Sequence, residues 1–342
     1  MKEIRTEDAV GHVLCHDITQ IIKDKKKGVL FKKGHIVREE DIPALLSVGK
    51  EHLYVWEKQE GILHENEAAE ILYTISADEH MHGSDIKEGK IELIADCDGV
   101  LKIRRDALLA VNRLGEMMIA SRHGDFPVKK GDKIAGTRII PLVIEKSKMD
   151  RAVEAAGSEP IFSILPYHTK KVGIVTTGSE VQKGLIKDTF TPVLTEKLSE
   201  FSCQVIGQTM PGDERTQITS DILKFIDDGA DMVICSGGMS VDPDDRTPGA
   251  IKDTGTEIIT YGAPVLPGAM LLLSYYKKND KIIPILGLPG CVMYAKRTVF
   301  DLILPRIMAD DPILAEEIAS YGEGGLCLNC TICTFPNCGF GK

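Results

Sequence analysis

Nowhere in the chain do apolar residues approach the roughly 18 in succession that a membrane-spanning helix needs. The N-terminus lacks the charged, apolar and small-residue succession of a secretory signal. These absences predict a cytoplasmic protein with no membrane partner. A basic excess is missing too: 41 Lys and Arg stand against 51 Asp and Glu, a net charge of −10. That balance argues against a general nucleic-acid binder, though it leaves room for a local basic pocket. Cys15, Cys97, Cys203, Cys235 and Cys291 are scattered, mostly among apolar neighbours, and read as small buried hydrophobes. The other four cysteines crowd the last sixteen residues.

What is present is an ordinary globular composition, 43% apolar and 27% charged over 342 residues. That length predicts more than one core. Four segments are expected: an α+β segment over 1–60, a β-rich domain with helices over 61–167, an α/β domain over 168–320, and a Cys-rich tail over 321–342.

In the first segment, Ala9–Leu14 and Gly28–Phe31 read as strands. Ile42, Leu45 and Leu46 mark one face of a short helix stopped by Gly49, before a strand at Leu53–Trp56. The basic cluster from Lys23 to Lys27 reads as a solvated hairpin tip, with a phosphate contact as the alternative. A helix follows through Ala68, Ala69, Leu72 and Ile75. His80 and His82 form an H-x-H pair among acids, but Gly83 and Ser84 mark a loop with no third metal ligand. The second segment has strand patterns at Ile91–Ala95, Val100–Ile103, Glu116–Ala120 and Lys133–Ile144. Its helices are Ala107–Leu114 and Met149–Ala156, and 160–166 reads as a connection.

From residue 170 strand and helix alternate. Val172–Val175, Cys203–Gln208, Asp231–Ser236 and Lys281–Leu288 are short runs, rich in β-branched residues, that end in or beside turns. Between them, Phe190, Val193, Leu194, Leu198 and Phe201, then Ile218, Ile222, Leu223 and Ile226, recur at helical spacing. The pattern predicts a mostly parallel sheet covered by helices on both faces, a three-layer α/β domain. Ligands of such sheets lie beyond the carboxyl ends of the strands. There Gly237-Gly238-Met239-Ser240 suits a phosphate, because bare glycines let backbone N–H groups approach an anion. The acid-rich run Asp242 to Pro248 follows, with Thr247 expected as an N-cap before Pro248. Carboxylates beside a phosphate make sense where a divalent cation bridges them. Asp213, at another strand end, would face the same crevice.

Taken in order, Thr177-Gly178-Ser179-Glu180, Pro211-Gly-Asp213, Ser236 to Val241 with Asp245 to Pro248, Pro267-Gly268 and Gly287-Leu-Pro289-Gly290 resemble the molybdopterin-binding domain. This domain is shared by molybdopterin adenylyltransferases and molybdopterin molybdenumtransferases. The resemblance covers roughly 168–310. It implies a molybdopterin ligand with Mg²⁺, and possible use of molybdate and nucleotide. It places Asp213 and Asp245 with the Mg–nucleotide and catalysis, and the glycine-pair turn on phosphate. It also implies that 287–290 positions the pterin. Where the family usually continues Asn-Pro, this chain has Cys291-Val292. Residues 9–17 and 31–54 are similar in places to the molybdenumtransferase branch, which would make part of Ala9–Leu14 helical. The expected function is molybdate insertion in molybdenum cofactor biosynthesis by a homo-oligomer. A carrier or sensor serving a molybdoenzyme is one alternative. Another is a dinucleotide pyrophosphatase of the competence-damage-inducible type, which Thr177 to Glu180, Asp188-Thr189 and Asp244 to Thr247 also resemble.

The tail carries Cys327, Cys330, Cys333 and Cys338 as C-x₂-C-x₂-C-x₄-C. Four soft ligands so close predict one metal centre, a [4Fe–4S] cluster ahead of Zn²⁺. The lead-in of Gly322, Gly324 and Gly325 predicts that the tail moves.

Overall fold

The computed structural model describes residues 2–22, 26–55, 60–185, 187–240 and 242–342. Residues 23–25 of the basic cluster, Trp56 of the third strand pattern and Val241 after the glycine-pair turn lie outside them. The chain divides into two compact units. Residues 1–96, 103–122 and 130–163 make the first; 97–102, 123–129 and 164–342 make the second.

In the first unit, Lys2–Arg5 pairs antiparallel with His52–Val55. Leu14, Ile18, Leu45 and Leu53 form a small core beneath them. Ala9–Leu14 is neither strand nor helix. Gly11 turns the chain at a φ of +83°, His12 N–H closes on Ala9 O at 3.0 Å, and only Val13 and Leu14 make single bridges. The helix Glu65–Ser76 forms as expected. A four-stranded sheet runs in the order Met81–Gly83, Ile91–Ala95, Lys133–Ile139, Met117–Ser121. The expected Lys133–Ile144 strand is split before Val143–Glu145, because Pro141 has no N–H for a ladder. The stretch read as a loop around His82 is an edge strand, where His82 Nδ1 meets Asp96 Oδ1 at 2.7 Å. The 160–166 connection holds the strand Phe162–Pro166.

The second unit is built on a six-stranded sheet. In chain order its elements are β1 (Lys171–Thr176), α1 (Phe190–Ser199), β2 (Gln204–Thr209), α2 (Arg215–Asp227), β3 (Met232–Ser236), α3 (Thr247–Asp253), β4 (Glu257–Tyr261), β5 (Leu272–Lys278), β6 (Lys281–Leu288) and α4 (Val299–Met308). The spatial order is β2-β1-β3-β6-β5-β4. β2, β1, β3 and β6 are parallel, whereas β5 pairs antiparallel with both β6 and β4.

Side chains alternate across a strand, and the sheet uses both faces. Ile174, Ile234 and Leu286 pack with Leu194 and Leu198 of α1 and Phe300 and Ile303 of α4. Val175, Val233 and Ile285 pack on the other face with Ile218 and Ile222 of α2 and Ile251 of α3. Every residue of α4 is buried. Its Arg306 is tolerated there because Asp311 and Glu317 hold the guanidinium at 2.5 and 2.9 Å.

The tail is part of this unit. Leu266 and Leu326 form a β-bridge, and Cys327 N–H donates to Leu266 O at 2.8 Å. Phe340 is buried in the core, with Phe335 between it and Phe126, each ring pair tilted at a centroid distance of 6.2 Å. Two glycines of the lead-in, Gly324 and Gly325, serve close packing. A Cβ on Gly324 would collide with the Lys342 backbone, and one on Gly325 with the carbonyls of Pro264 and Tyr321.

Candidate functional site

β2 lies on one side of β1 and β3 on the other, so the order of parallel strands reverses at β1. A crevice opens at such a switch point, beyond the carboxyl ends of the strands. A cleft of about 610 Å³ lies there, lined by the loops after β1, β2 and β3 and by Met293 beyond β6. The opposite, amino edge carries an opening of about 500 Å³. Its cations are already paired, Lys281 with Asp231 at 3.3 Å and Lys170 with Asp310. No glycine turn faces it, so the chemistry concentrates at the carboxyl edge.

The turn after β3 is held open by hydroxyls. Gly237 and Gly238 have φ of +87° and +56°, in the region that glycine adopts freely. A Cβ on Gly237 would lie 2.5 Å from Thr177 O, and one on Gly238 2.7 Å from Thr247 Oγ1. Thr247 Oγ1 donates to Gly237 O at 3.0 Å and meets Thr177 Oγ1 at 3.1 Å. Thr247 is therefore the first residue of α3 and not its N-cap: its hydroxyl is used on the turn, and Arg246 precedes the helix. Met239 points away from the cleft into the core, its sulfur over the bare Cα of Gly287.

Asp213, beyond β2, receives two hydrogen bonds on one oxygen, from Ser179 N–H at 2.9 Å and Ser179 Oγ at 2.5 Å. Asp188 lies on the other side of the loop after β1. Its Oδ1 caps α1, accepting from Phe190 N–H at 2.8 Å and Thr191 N–H at 3.2 Å. Its Oδ2 accepts from Gln208 Nε2 at 2.6 Å. Burial alone would raise this carboxyl, but hydrogen bonds from Thr191, Gln208 and the two amides outweigh it. They hold Asp188 below the ordinary aspartate range.

Asp242, Asp244 and Asp245 bring further carboxylates to the rim. Asp245 N–H donates to Asp242 O at 2.9 Å, which folds the loop back on itself. Mg²⁺ asks for one or two carboxylates plus phosphate oxygens and waters. Asp242 and Asp245 both line the cleft, but among the described residues no three acidic, His or Cys side chains gather as a ligand set.

Of the residues expected at the site, the cleft brings together Thr177, Gly178, Glu180, Asp213, Gly237, Gly238, Ser240 and Asp245, with Ser179 behind Asp213. Pro267 and Gly268 are elsewhere. Pro267 O accepts from Val299 N–H at 3.1 Å, and a Cβ on Gly268 would lie 2.5 Å from Val299 Cγ1, so this pair seats the start of α4. Gly287, Pro289 and Gly290 are not in the lining. The tail thiols do not converge on one centre, contrary to the sequence expectation. Cys330 and Cys333 are exposed, while Cys327 and Cys338 pack against the core. Lys296 Nζ holds the intervening loop through the carbonyls of Cys330 and Thr331 at 3.3 and 2.8 Å. Lys187, Phe190 and Met293 line the cleft without having been singled out. Only Lys187, a cation between a glycine loop and a capping aspartate, left a sequence signal.

Fold and cleft together define an α/β domain whose glycine- and acid-lined site sits at the switch point of its parallel strands. Residues 173–309 match the family described as "Probable molybdopterin binding domain", so this part of the chain carries a domain of that family. Residues 3–57 match a domain of unknown function (DUF8806). The chain is 25% identical over 182 residues to a molybdopterin molybdenumtransferase of Synechococcus elongatus, covering 51% of this chain and 42% of that protein. It is 28% identical over 233 residues to the molybdenum cofactor synthesis protein cinnamon of Drosophila melanogaster, covering 64% and 36%. A CinA-like protein of Mycolicibacterium gilvum is 35% identical over 77 residues, covering 22% and 18%. The match thus spans less than half the length of each of these relatives.

Proposed function

We propose that the carboxyl-edge cleft binds molybdopterin or its adenylylated form and promotes Mg-dependent molybdate insertion. The observation that carries this reading is the glycine pair, clasped by Thr177 and Thr247 beside a rim of aspartates. Backbone N–H groups of the 237–240 turn and the Ser240 hydroxyl would hold the phosphate, as preorganised dipoles that need no rearrangement. Asp245, with Asp242, would hold Mg²⁺, whose charge offsets that of phosphate. Ser179 fixes one oxygen of Asp213 and leaves the other for the ligand. Lys187 adds a cation to the same wall.

The CinA-like relatives support a second reading, hydrolysis of a dinucleotide pyrophosphate in the same cleft. Two turnover assays separate them. Conversion of adenylyl-molybdopterin with molybdate and Mg²⁺, and no action on ADP-ribose, is expected. The reverse pattern would replace the first reading by the second. Binding of molybdopterin without either turnover would make the protein a carrier.

A further inference from the structure

Leu194 and Leu198 of α1 are buried in the core, whereas Phe190, the first residue of the same helix, is half-buried and lines the cleft. Its place is set from two sides. Asp188 Oδ1 accepts from the Phe190 N–H at 2.8 Å, which fixes the start of the helix. The far edge of the ring reaches the turn after β6, where a Cβ on Gly290 would lie in ordinary contact, 4.0 Å from Phe190 Cζ. That turn continues as the 3₁₀ segment Gly290–Met293. Thr189 Oγ1, beside Phe190 in the chain, donates to Met293 Sδ at 3.0 Å. Ring and thioether are thus tied across the same two loops. Apart from glycines, Val181, Phe190 and Met293 are the apolar members of the lining; the rest are hydroxyls, carboxylates and Lys187. The part of the phenyl face left in water forfeits the gain that burial would give. A flat ligand face laid on it recovers that gain and adds stacking.

We propose that Phe190, with Met293, forms a stacking wall that selects ligands whose phosphate is joined to a flat, two-ring heteroaromatic group. The proposal rests on the reading of the cleft as a phosphorylated-pterin site. The glycine pair would hold a phosphate whatever is attached to it, so it cannot choose among phosphorylated ligands. A heteroaromatic ring carries broad π faces that carboxylates and backbone amides match poorly. Phe190 offers such a face, and the polarizable sulfur of Met293 suits a ring edge. Aromatic stacking of this kind tolerates different substituents on the ring, so the wall accepts a pterin or a purine. Phe190 is therefore a specificity-determining residue of the cleft.

The test is calorimetric titration of the full chain with neopterin 3′-monophosphate, AMP and inorganic phosphate, with folding checked by circular dichroism. Phe190→Ala removes the face. Phe190→Leu keeps most of the volume without a flat face, and serves if the Ala variant does not fold. Phe190→Tyr keeps the face. The parent should bind a ring-bearing probe more tightly than inorganic phosphate. The Ala and Leu variants should bind that probe about fivefold or more weakly, with inorganic phosphate unchanged within twofold. Met293→Ala should act in the same direction, and the Tyr variant should stay within twofold of the parent. Loss with either ring-bearing probe supports the wall, and the probe that loses more shows which ring faces it. Ring-probe affinities equal to the parent's in the Ala and Leu variants overturn the proposal and leave the phosphate site standing. A parent that binds inorganic phosphate as tightly as both ring-bearing probes does the same. Parallel loss of all three probes overturns it too, since Phe190 would then merely support the cleft, as does a Tyr variant as weak as the Ala variant. A parent chain that binds none of the probes would sink the underlying pterin reading, and this proposal with it.

Discussion

Ser179 gives both its hydroxyl and its backbone N–H to a single oxygen of Asp213, at 2.5 and 2.9 Å. The loop after β1 thereby sets the direction of a carboxylate that belongs to the loop after β2. Ser179→Ala removes one of the two bonds, a net contribution of about 1 kcal/mol. Turnover should fall by roughly fivefold, with the melting temperature lowered by only a few degrees. Asp213→Ala should cost far more activity than Ser179→Ala. Equal activity of the serine variant and the parent would remove this pairing from the site.

Asp188 makes an acid-side prediction. Its folded pKa lies below the ordinary value, through hydrogen bonds that outweigh burial. A group depressed in this way stabilises the fold fully above its unfolded pKa of about 3.9. That stabilisation is lost as pH falls through the lower folded value. Denaturant titrations of the parent and Asp188→Asn should therefore differ most above about pH 5 and converge in stronger acid. A gap that widens as pH falls would reverse the sign and contradict the geometry.

Asp245 is half-exposed on a loop, so Asp245→Asn should change stability by no more than about 0.5 kcal/mol. Its effect should appear in the Mg²⁺ dependence of turnover, with half-maximal activity moved to several-fold higher magnesium. A variant with the parent's magnesium curve would place the ion elsewhere.

The tail is expected to contribute to stability. Phe340 is 4% exposed and packs in the main core of the second unit. Phe340→Ala should cost about 3–5 kcal/mol, the usual range for a buried aromatic. Removing residues 323–342 should cost at least as much, because the Leu266–Leu326 bridge goes as well. Unchanged unfolding midpoints in guanidinium would show that the tail is not docked in solution.

The four parallel strands were legible because short apolar runs ending in or beside turns have few other readings. β4 and β5 were missed for opposite reasons. Glu257–Tyr261 is a largely exposed edge strand, and Leu272–Lys278 is buried at one end only. At the site, glycines and aspartates announced themselves because few other residues suit tight turns and anions. Gln208 could not, since a glutamine at a strand end has no pattern and its role depends on Thr191 in a different element. Phe340 was hidden by its surroundings: among glycines and cysteines, two phenylalanines five residues apart give no periodicity. The same glycines suggested motion, whereas only the folded chain reveals which backbones press against them.

The central claim is that the glycine pair after β3 is where the ligand's phosphate sits. Gly238→Ala tests it most directly. The new Cβ meets Thr247 Oγ1 at 2.7 Å and Thr177 Oγ1 at 3.0 Å, in a backbone region that costs a non-glycine residue about 1–2 kcal/mol. The measurement is a molybdopterin binding isotherm of the parent and of Gly238→Ala under anaerobic conditions, with folding checked by circular dichroism. Saturable one-to-one binding by the parent, weakened at least tenfold in a variant that remains folded, is the expected result. Superimposable isotherms, or no binding by the parent, would contradict it.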